Sequence, residues 1–244
     1  MKLEGKVAIV TGGGRGIGRA IALAFARKGT RTVITARSVG EIQKVAQEIR
    51  KLKQEVITVQ MDVSKEEDVA RMVSQTLKRF GTIDILVNNA GMNLPNRNVV
   101  DLTLEEWEQI LAVNLTGVFL TTKAALPLMM ERRRGKIINI SSRGGRLGAA
   151  GRGPYRASKA GLINFTQTVA AEVRDYGIDV NAICPGAVDT RMVDEISVGR
   201  KADLGPLMHP DEIAKVALFL ASDDSSAISG SAIDAFGHTL PIFR

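Results

Sequence analysis

One cysteine, two histidines, two tyrosines and one tryptophan are all that this 244-residue chain holds of those four residue types. The single thiol, Cys184, cannot close an internal disulfide and suits a reducing compartment. His209 and His238 belong to no cluster with metal-ligand spacing, and neither lies in a motif with a serine. Neither a metal site nor a His-activated nucleophile is therefore expected. Aromatic residues make up 4%, too few for base-stacking platforms. The formal net charge of +7 comes from widely spread basic residues, so no nucleic-acid partner is expected. An anionic cofactor, alone or with an anionic substrate, accounts for that surplus better. Long apolar runs are lacking too: the best candidate, residues 113–130, carries Lys123, and no membrane partner is expected. No charged leader with an apolar core precedes the first strand, so the expected location is cytoplasmic.

What the chain has in abundance is alternation. With 45% hydrophobic residues it can bury one large core. Short apolar runs rich in β-branched residues predict strands near 6–10, 31–35, 55–60, 83–87, 136–140, 178–184 and 231–235. Helical spacing predicts helices near 17–28, 39–53, 65–79, 104–133 (interrupted), 155–175 and 211–221. No repeat, low-complexity tract or Pro/Gly/Ser linker divides them, so residues 1–244 are expected to form a single domain. The alternation predicts an α/β fold, a Rossmann-type doubly wound parallel sheet with helices on both faces. Ligands of such sheets bind outside the carboxyl ends of the strands.

Two motifs carry chemistry. The first is Thr11-Gly12-Gly13-Gly14-Arg15-Gly16-Ile17-Gly18, between a predicted strand and a predicted helix. Glycine there permits positive φ and close approach to a pyrophosphate, and the helix start offers unpaired N–H groups. The second is Tyr155-Arg156-Ala157-Ser158-Lys159, thirteen residues after Ser142. Tyr and Lys at i and i+4 share a helix face. At ~4 Å and an effective dielectric of ~20 their attraction is about 4 kcal/mol, roughly three pK units. That would bring the phenol from ~10 towards ~7, where it exchanges protons near neutral pH.

In order and spacing, Thr11–Gly18, Asn88-Asn89-Ala90-Gly91, Asn114, Ser142, Tyr155, Lys159 and Pro185-Gly186 resemble the short-chain dehydrogenase/reductase family. The likeness covers essentially the whole chain and is nearest to 3-oxoacyl-carrier-protein reductases. The resemblance implies a catalytic set of Asn114, Ser142, Tyr155 and Lys159. Ser142 and Tyr155 would bond the substrate carbonyl, Lys159 would lower the Tyr155 pKa and bond the nicotinamide ribose, and Asn114 would hold a relay water. The same resemblance implies a cofactor site made of Gly12, Arg15, Gly16, Ile17 and Gly18 in the glycine loop. Asp62 and Val63 follow the third strand, and Asn89, Ala90 and Gly91 follow the fourth. Tyr155 and Lys159 join them, with Pro185, Gly186, Val188 and Thr190 after the sixth strand.

The end of the second strand decides between cofactors. NAD-binding Rossmann proteins usually place an Asp or Glu there for the ribose 2′-OH. Here Ala36 removes the carboxylate, and Arg37 can pair with a 2′-phosphate, assisted by Arg15. The expected cofactor is NADP(H) rather than NAD(H). The expected function is an oxidoreductase moving hydride between the nicotinamide and a carbonyl or secondary alcohol, as a ketoreductase that includes 3-oxoacyl substrates. The alternatives are an NAD(H)-dependent enzyme of small ketones, sugars or steroids, and a non-catalytic dinucleotide-binding regulator. The regulator's expected mark, loss of Tyr or Lys, is absent.

The partners expected are a small carbonyl compound and further copies of this chain. The resemblance also admits an acyl carrier protein. Arg132-Arg133-Arg134 could meet such an acidic carrier, or could be a solvated helix end. The helices near 104–133 and 155–175 carry apolar residues beyond one face (Leu120, Ala124, Leu128, Leu162, Phe165, Val169), and the resemblance implies that they pair between copies in a homotetramer. Two departures bear on the substrate. The stretch from Thr190 to Asp211 is short, and Phe236-Gly237-His238 stands where relatives carry an Asp or Asn followed by two glycines.

Overall fold

A computed structural model describes residues 3–196 and 206–237. Its strands are β1 (Val7–Thr11), β2 (Arg31–Ala36), β3 (Val56–Gln60), β4 (Ile85–Asn88), β5 (Gly135–Ile140), β6 (Ile178–Pro185) and β7 (Ala232–Ala235). They form one sheet in the order β3-β2-β1-β4-β5-β6-β7, every neighbouring pair parallel. The helices are α1 (Gly16–Ala26), α2 (Val39–Lys51), α3 (Glu66–Phe80), α4 (Leu104–Leu111), α5 (Gly117–Glu131), α6 (Gly153–Val173), α7 (Arg191–Ile196) and α8 (Pro210–Ala221).

All five residues of β1 are buried, and their alternation splits the core into two layers. Ala8 and Val10 point into the layer of α1, α2 and α8, where Ile21, Phe25, Ile49 and Ile213 pack. Val7 and Ile9 point the other way, against Met72 of α3, Met129 of α5 and Val173 of α6. Each such side chain contributes roughly 1.5–3 kcal/mol by leaving water, which is what ties helices to both faces. Strand order reverses between β1 and β4, and a crevice opens at their carboxyl ends.

The long helical stretch is broken in its middle. A capping box of Thr103 and Glu106 starts α4, and Ala112–Thr116 then form one π-helical turn before α5. By length and a mean hydropathy of 1.4 the run Leu104–Glu131 could cross a bilayer, Lys123 notwithstanding. In this fold Val118, Ala125 and Met129 are buried instead, as in a core helix of a layered α/β protein. The short α7 has no counterpart in the sequence reading, because six residues are too few to show a helical period.

Two expected surfaces look different in three dimensions. Leu162 and Val169 are fully occupied by their own core, whereas Leu120, Ala124, Leu128 and Phe165 are half-buried. Phe119, which the sequence did not single out, is exposed and meets Phe165 edge to face at 6.4 Å. The Arg132–Arg134 run lies at the amino end of β5, at the opposite edge of the sheet from the crevice. Arg132 pairs with buried Asp84 at 3.1 Å, and Arg133 donates to the Asp175 carbonyl and stacks on Tyr176.

Candidate active site

The glycine loop is held open by its neighbours. Gly12 has φ +63°, and a Cβ there would stand 2.9 Å from the Ala90 Cα. Asn89 braces the loop, its Nδ2 donating to the carbonyls of Thr11 (2.9 Å) and Gly12 (3.1 Å). The Thr11 hydroxyl in turn accepts the backbone N–H groups of Asn89 and Ala90, both at 3.0 Å. No side chain caps the start of α1, so its first N–H groups face the crevice. A cradle that a side chain would fill, at the positive end of a helix, fits a dinucleotide pyrophosphate.

Every residue nominated for the cofactor lines one cleft of about 900 Å³, which also reaches Ser142, Tyr155 and Lys159. At one end Ala36, exposed Arg37 and Ser38 follow β2. Asp62 follows β3. Burial alone would raise its pKa, but the Ser64 hydroxyl (2.7 Å) and N–H (3.0 Å), with Arg37 nearby, hold it below the usual carboxylate range. At the other end Val188 is buried, and Thr190 reaches back across the glycine loop to Gly16. The sequence reading passed over one residue here. Glu41, from the first turn of α2, stands 3.7 Å from Arg15 and 3.9 Å from Arg191.

The chemical end is built on β5, α6 and the π turn. After β5 the Ser142 hydroxyl accepts the Gly144 N–H at 2.9 Å and is hydrogen-bonded with the Tyr155 hydroxyl. Ser141 points away, donating to the Lys159 carbonyl at 2.9 Å. Lys159 is buried, its Nζ donating to the Ile140 carbonyl at 2.8 Å. Asn114 does not line the cleft. It lies fully buried beneath it, exchanging bonds with the Met92 backbone at 2.8 and 2.9 Å and donating to Ser158 at 3.2 Å. The π turn aims that amide inward, a familiar use of such bulges. A Cβ added to Gly91 would lie 3.3 Å from the Asn114 Oδ1 and 3.6 Å from the Lys159 Nζ, so both groups face one spot. Asn88, by contrast, is taken up by the core, bonded to Thr121, Thr122 and Asn139.

Charge around Tyr155 is not what the i, i+4 spacing suggests. Burial pushes the phenol above its ordinary value, opposed by the Ser142 hydrogen bond and by the charges of Arg152 and Arg156. The Lys159 ammonium bonds the Ile140 carbonyl rather than the phenol, 5.9 Å from the Tyr155 ring centre. Burial lowers its own pKa to about 8. A shared helix face fixes where two Cβ atoms point, but the strand carbonyl decides where the ammonium ends. Arg143, Arg152 and Arg156 also line the cleft. Their visible signal in the sequence is an arginine on each side of Tyr155 and one after Ser142.

Nearly the whole length of the chain has counterparts among known proteins. A family model described as short chain dehydrogenase matches residues 6–201. The chain is similar to a 3-oxoacyl-[acyl-carrier-protein] reductase of Synechocystis, 40% identical over 240 residues that cover 96% of this chain and 97% of that protein. It is 37% identical to the (2S)-[(R)-hydroxy(phenyl)methyl]succinyl-CoA dehydrogenase subunit BbsD of Thauera aromatica, over 97% of both. Among solved structures, a levodione reductase superposes with a TM-score of 0.92 at 31% identity, over 96% of each chain.

Proposed function

Because the chain belongs to the short chain dehydrogenase family, we propose that it is an NADP(H)-dependent reductase of carbonyl compounds that works in the cytoplasm as a homotetramer. The observation that carries this reading is the single cleft that joins a glycine cradle and Arg37 to the hydrogen-bonded pair Ser142–Tyr155. The cofactor would lie with its pyrophosphate at Gly12–Gly18, its adenine at Asp62 and its nicotinamide between Tyr155 and Val188, and when bound it supplies or accepts hydride.

The chain's own residues would do the rest. Ser142 and Tyr155 present two hydroxyls to a substrate carbonyl and stabilise negative charge as it develops on oxygen. Tyr155 then gives up its proton. A phenol whose pKa is raised by burial stays protonated at neutral pH, which suits reduction rather than oxidation. Lys159, placed by the Ile140 carbonyl, stands between Tyr155 and Asn114, and a water bonded to the amide and the ammonium would return the proton from solvent. The relatives named 3-oxoacyl reductases support a 3-oxoacyl substrate presented by an acyl carrier protein. The relatives named a succinyl-CoA dehydrogenase subunit and a levodione reductase support other carbonyl substrates as the alternative.

The phosphate site is tested by cofactor choice. Charged hydrogen bonds contribute roughly 1.5–3 kcal/mol, so Arg37→Ala should weaken NADPH about ten- to a hundredfold. NADH has no phosphate and should change little. Ala36→Asp offers a partner to a free 2′-OH and repels the phosphate, turning preference towards NADH. Steady-state kcat/KM with both cofactors, in wild type and both variants, decides. A wild type that already prefers NADH, or an Arg37→Ala that weakens both cofactors equally, refutes the assignment.

Exposed Phe119, Trp107 and Leu104, with Val99 and Val100, give α4 and α5 an apolar outer face that supports the homotetramer. Light scattering at micromolar concentration should give four times the chain mass of 26.2 kDa. A mass of one chain excludes the assembly.

A further inference from the structure

We propose that the substrate carries an anionic group, a carboxylate or a phosphate ester, held beside its reacting carbonyl by Arg156 and Arg152. The inference rests on the reductase reading above and narrows it, from carbonyl compounds at large to oxo acids and their charged relatives.

The substrate end of the cleft is far more basic than a ketone requires. A Cβ added to Gly144 would touch the Ser142 Oγ (3.3 Å), the Tyr155 Cε1 (3.4 Å) and the Arg156 Cγ (3.4 Å). The arginine stem therefore lies against the two groups proposed to hold the carbonyl oxygen. Burial, reinforced by the charges of Arg152 and Arg143, lowers the Arg156 pKa. Among the described residues no carboxylate offsets that repulsion at Arg156, and Tyr155 is the one group acting in the opposite sense. Holding Arg152 and Arg156 together at a half-buried site costs free energy, which an anion between them would offset.

Two donors lining this cleft are left over. Arg156 donates through one Nη to the Leu147 carbonyl, while its Nε is buried without a hydrogen-bond partner. Arg152 donates through Nε to Asn96 at 3.0 Å, which anchors it at the rim of the cleft. The Asn93 Nδ2, elsewhere in the lining of the same cleft, is likewise buried without a partner. An unsatisfied buried donor costs roughly 1–3 kcal/mol, so the Arg156 Nε, within a cationic cluster, points to an anionic ligand that completes it. The Nε–Nη edge of a guanidinium matches the two oxygens of a carboxylate or phosphate. Arg156 would present that edge to an anion in the cleft by a turn about its outer torsions.

The test compares matched substrates with NADPH: acetoacetate with its methyl ester, levulinate with its methyl ester, and dihydroxyacetone phosphate with dihydroxyacetone. Wild type should favour at least one charged member at least tenfold in kcat/KM, and which pair shows this identifies carboxylate or phosphate. Arg156→Gln and Arg152→Gln should each lower that charged-to-neutral ratio about ten- to a hundredfold, chiefly through KM. At pH 7 a protonated Tyr155 still donates in both variants, so a fall in kcat alone would show a different role. Neutral ketones reduced as well as charged ones overturn the anion site and leave the reductase standing. If nothing is reduced, calorimetry of the same acids and phosphate on the protein decides. Binding lost in Arg156→Gln supports the site while the reductase reading falls, and no binding overturns it.

Discussion

Tyr155→Phe should lower kcat for carbonyl reduction by about a hundred- to ten-thousandfold, the usual worth of a positioned general acid. The change keeps the ring and its packing and removes only the hydroxyl that meets Ser142. Cofactor affinity should survive, because the glycine cradle, Asp62 and Arg37 are untouched. Titrating the variant with NADPH and measuring single-turnover rates separates the two effects. Loss of binding together with turnover would make Tyr155 a structural residue. Retention of most of kcat would assign proton donation elsewhere.

Lys159→Met should abolish most activity and yet stabilise the fold near neutral pH. Burial without a carboxylate partner lowers the Lys159 pKa from 10.5 to about 8. At ~1.4 kcal/mol per unit this drop corresponds to roughly 3.5 kcal/mol of unfavourable charge burial. A folded-state pKa below the unfolded one means that the unfolded chain binds more protons between the two values. Wild-type stability therefore rises with pH from about 8 to 10.5, and the full penalty is present below 8. Methionine removes it but forfeits the charged bond to the Ile140 carbonyl, worth roughly 1.5–3 kcal/mol, for a net gain of roughly 0.5–2 kcal/mol at pH 7. Denaturant unfolding of both proteins at pH 7 and pH 10 measures this. The gain should shrink or vanish at pH 10, while turnover stays at least about a hundredfold down at both. A variant clearly less stable at pH 7 would show that the fold prefers a charged Lys159.

Elements were more legible in the sequence than charges were. Each strand of the sheet begins and ends within two residues of its apolar run, because β-branched runs between glycine and polar turns have few other ways to be buried. The interruption of the 104–133 helix was visible at Asn114, although its form, one π turn, depends on the bonds that Met92 and Ser158 offer from outside the helix. Leu162 and Val169 show the limit of the same reasoning. An apolar residue beyond one helix face looks available for a partner until the strand packed on it is known.

The motif residues were readable because glycines and short polar side chains sit at fixed offsets from strand ends. What surrounds them was not. The Tyr155 pKa depends on how deeply the ring is covered, and the path of Lys159 on a carbonyl nineteen residues away. The arginines gathered at the substrate end come from the Ser142 loop and the start of α6, and only folding places them on one wall. Glu41 and Arg191 come together from α2 and α7 in the same way.

The central claim is that this chain moves hydride between a nicotinamide and a carbonyl carbon beside Tyr155. Incubation of the full chain with an oxo acid and NADPH carrying deuterium on both C4 positions of the reduced ring, followed by mass spectrometry of the product, tests it directly. The account predicts one deuterium on the carbinol carbon of the alcohol, formed by wild type and not at comparable rate by Tyr155→Phe. Alcohol without deuterium, or equal label from the two proteins, would contradict it.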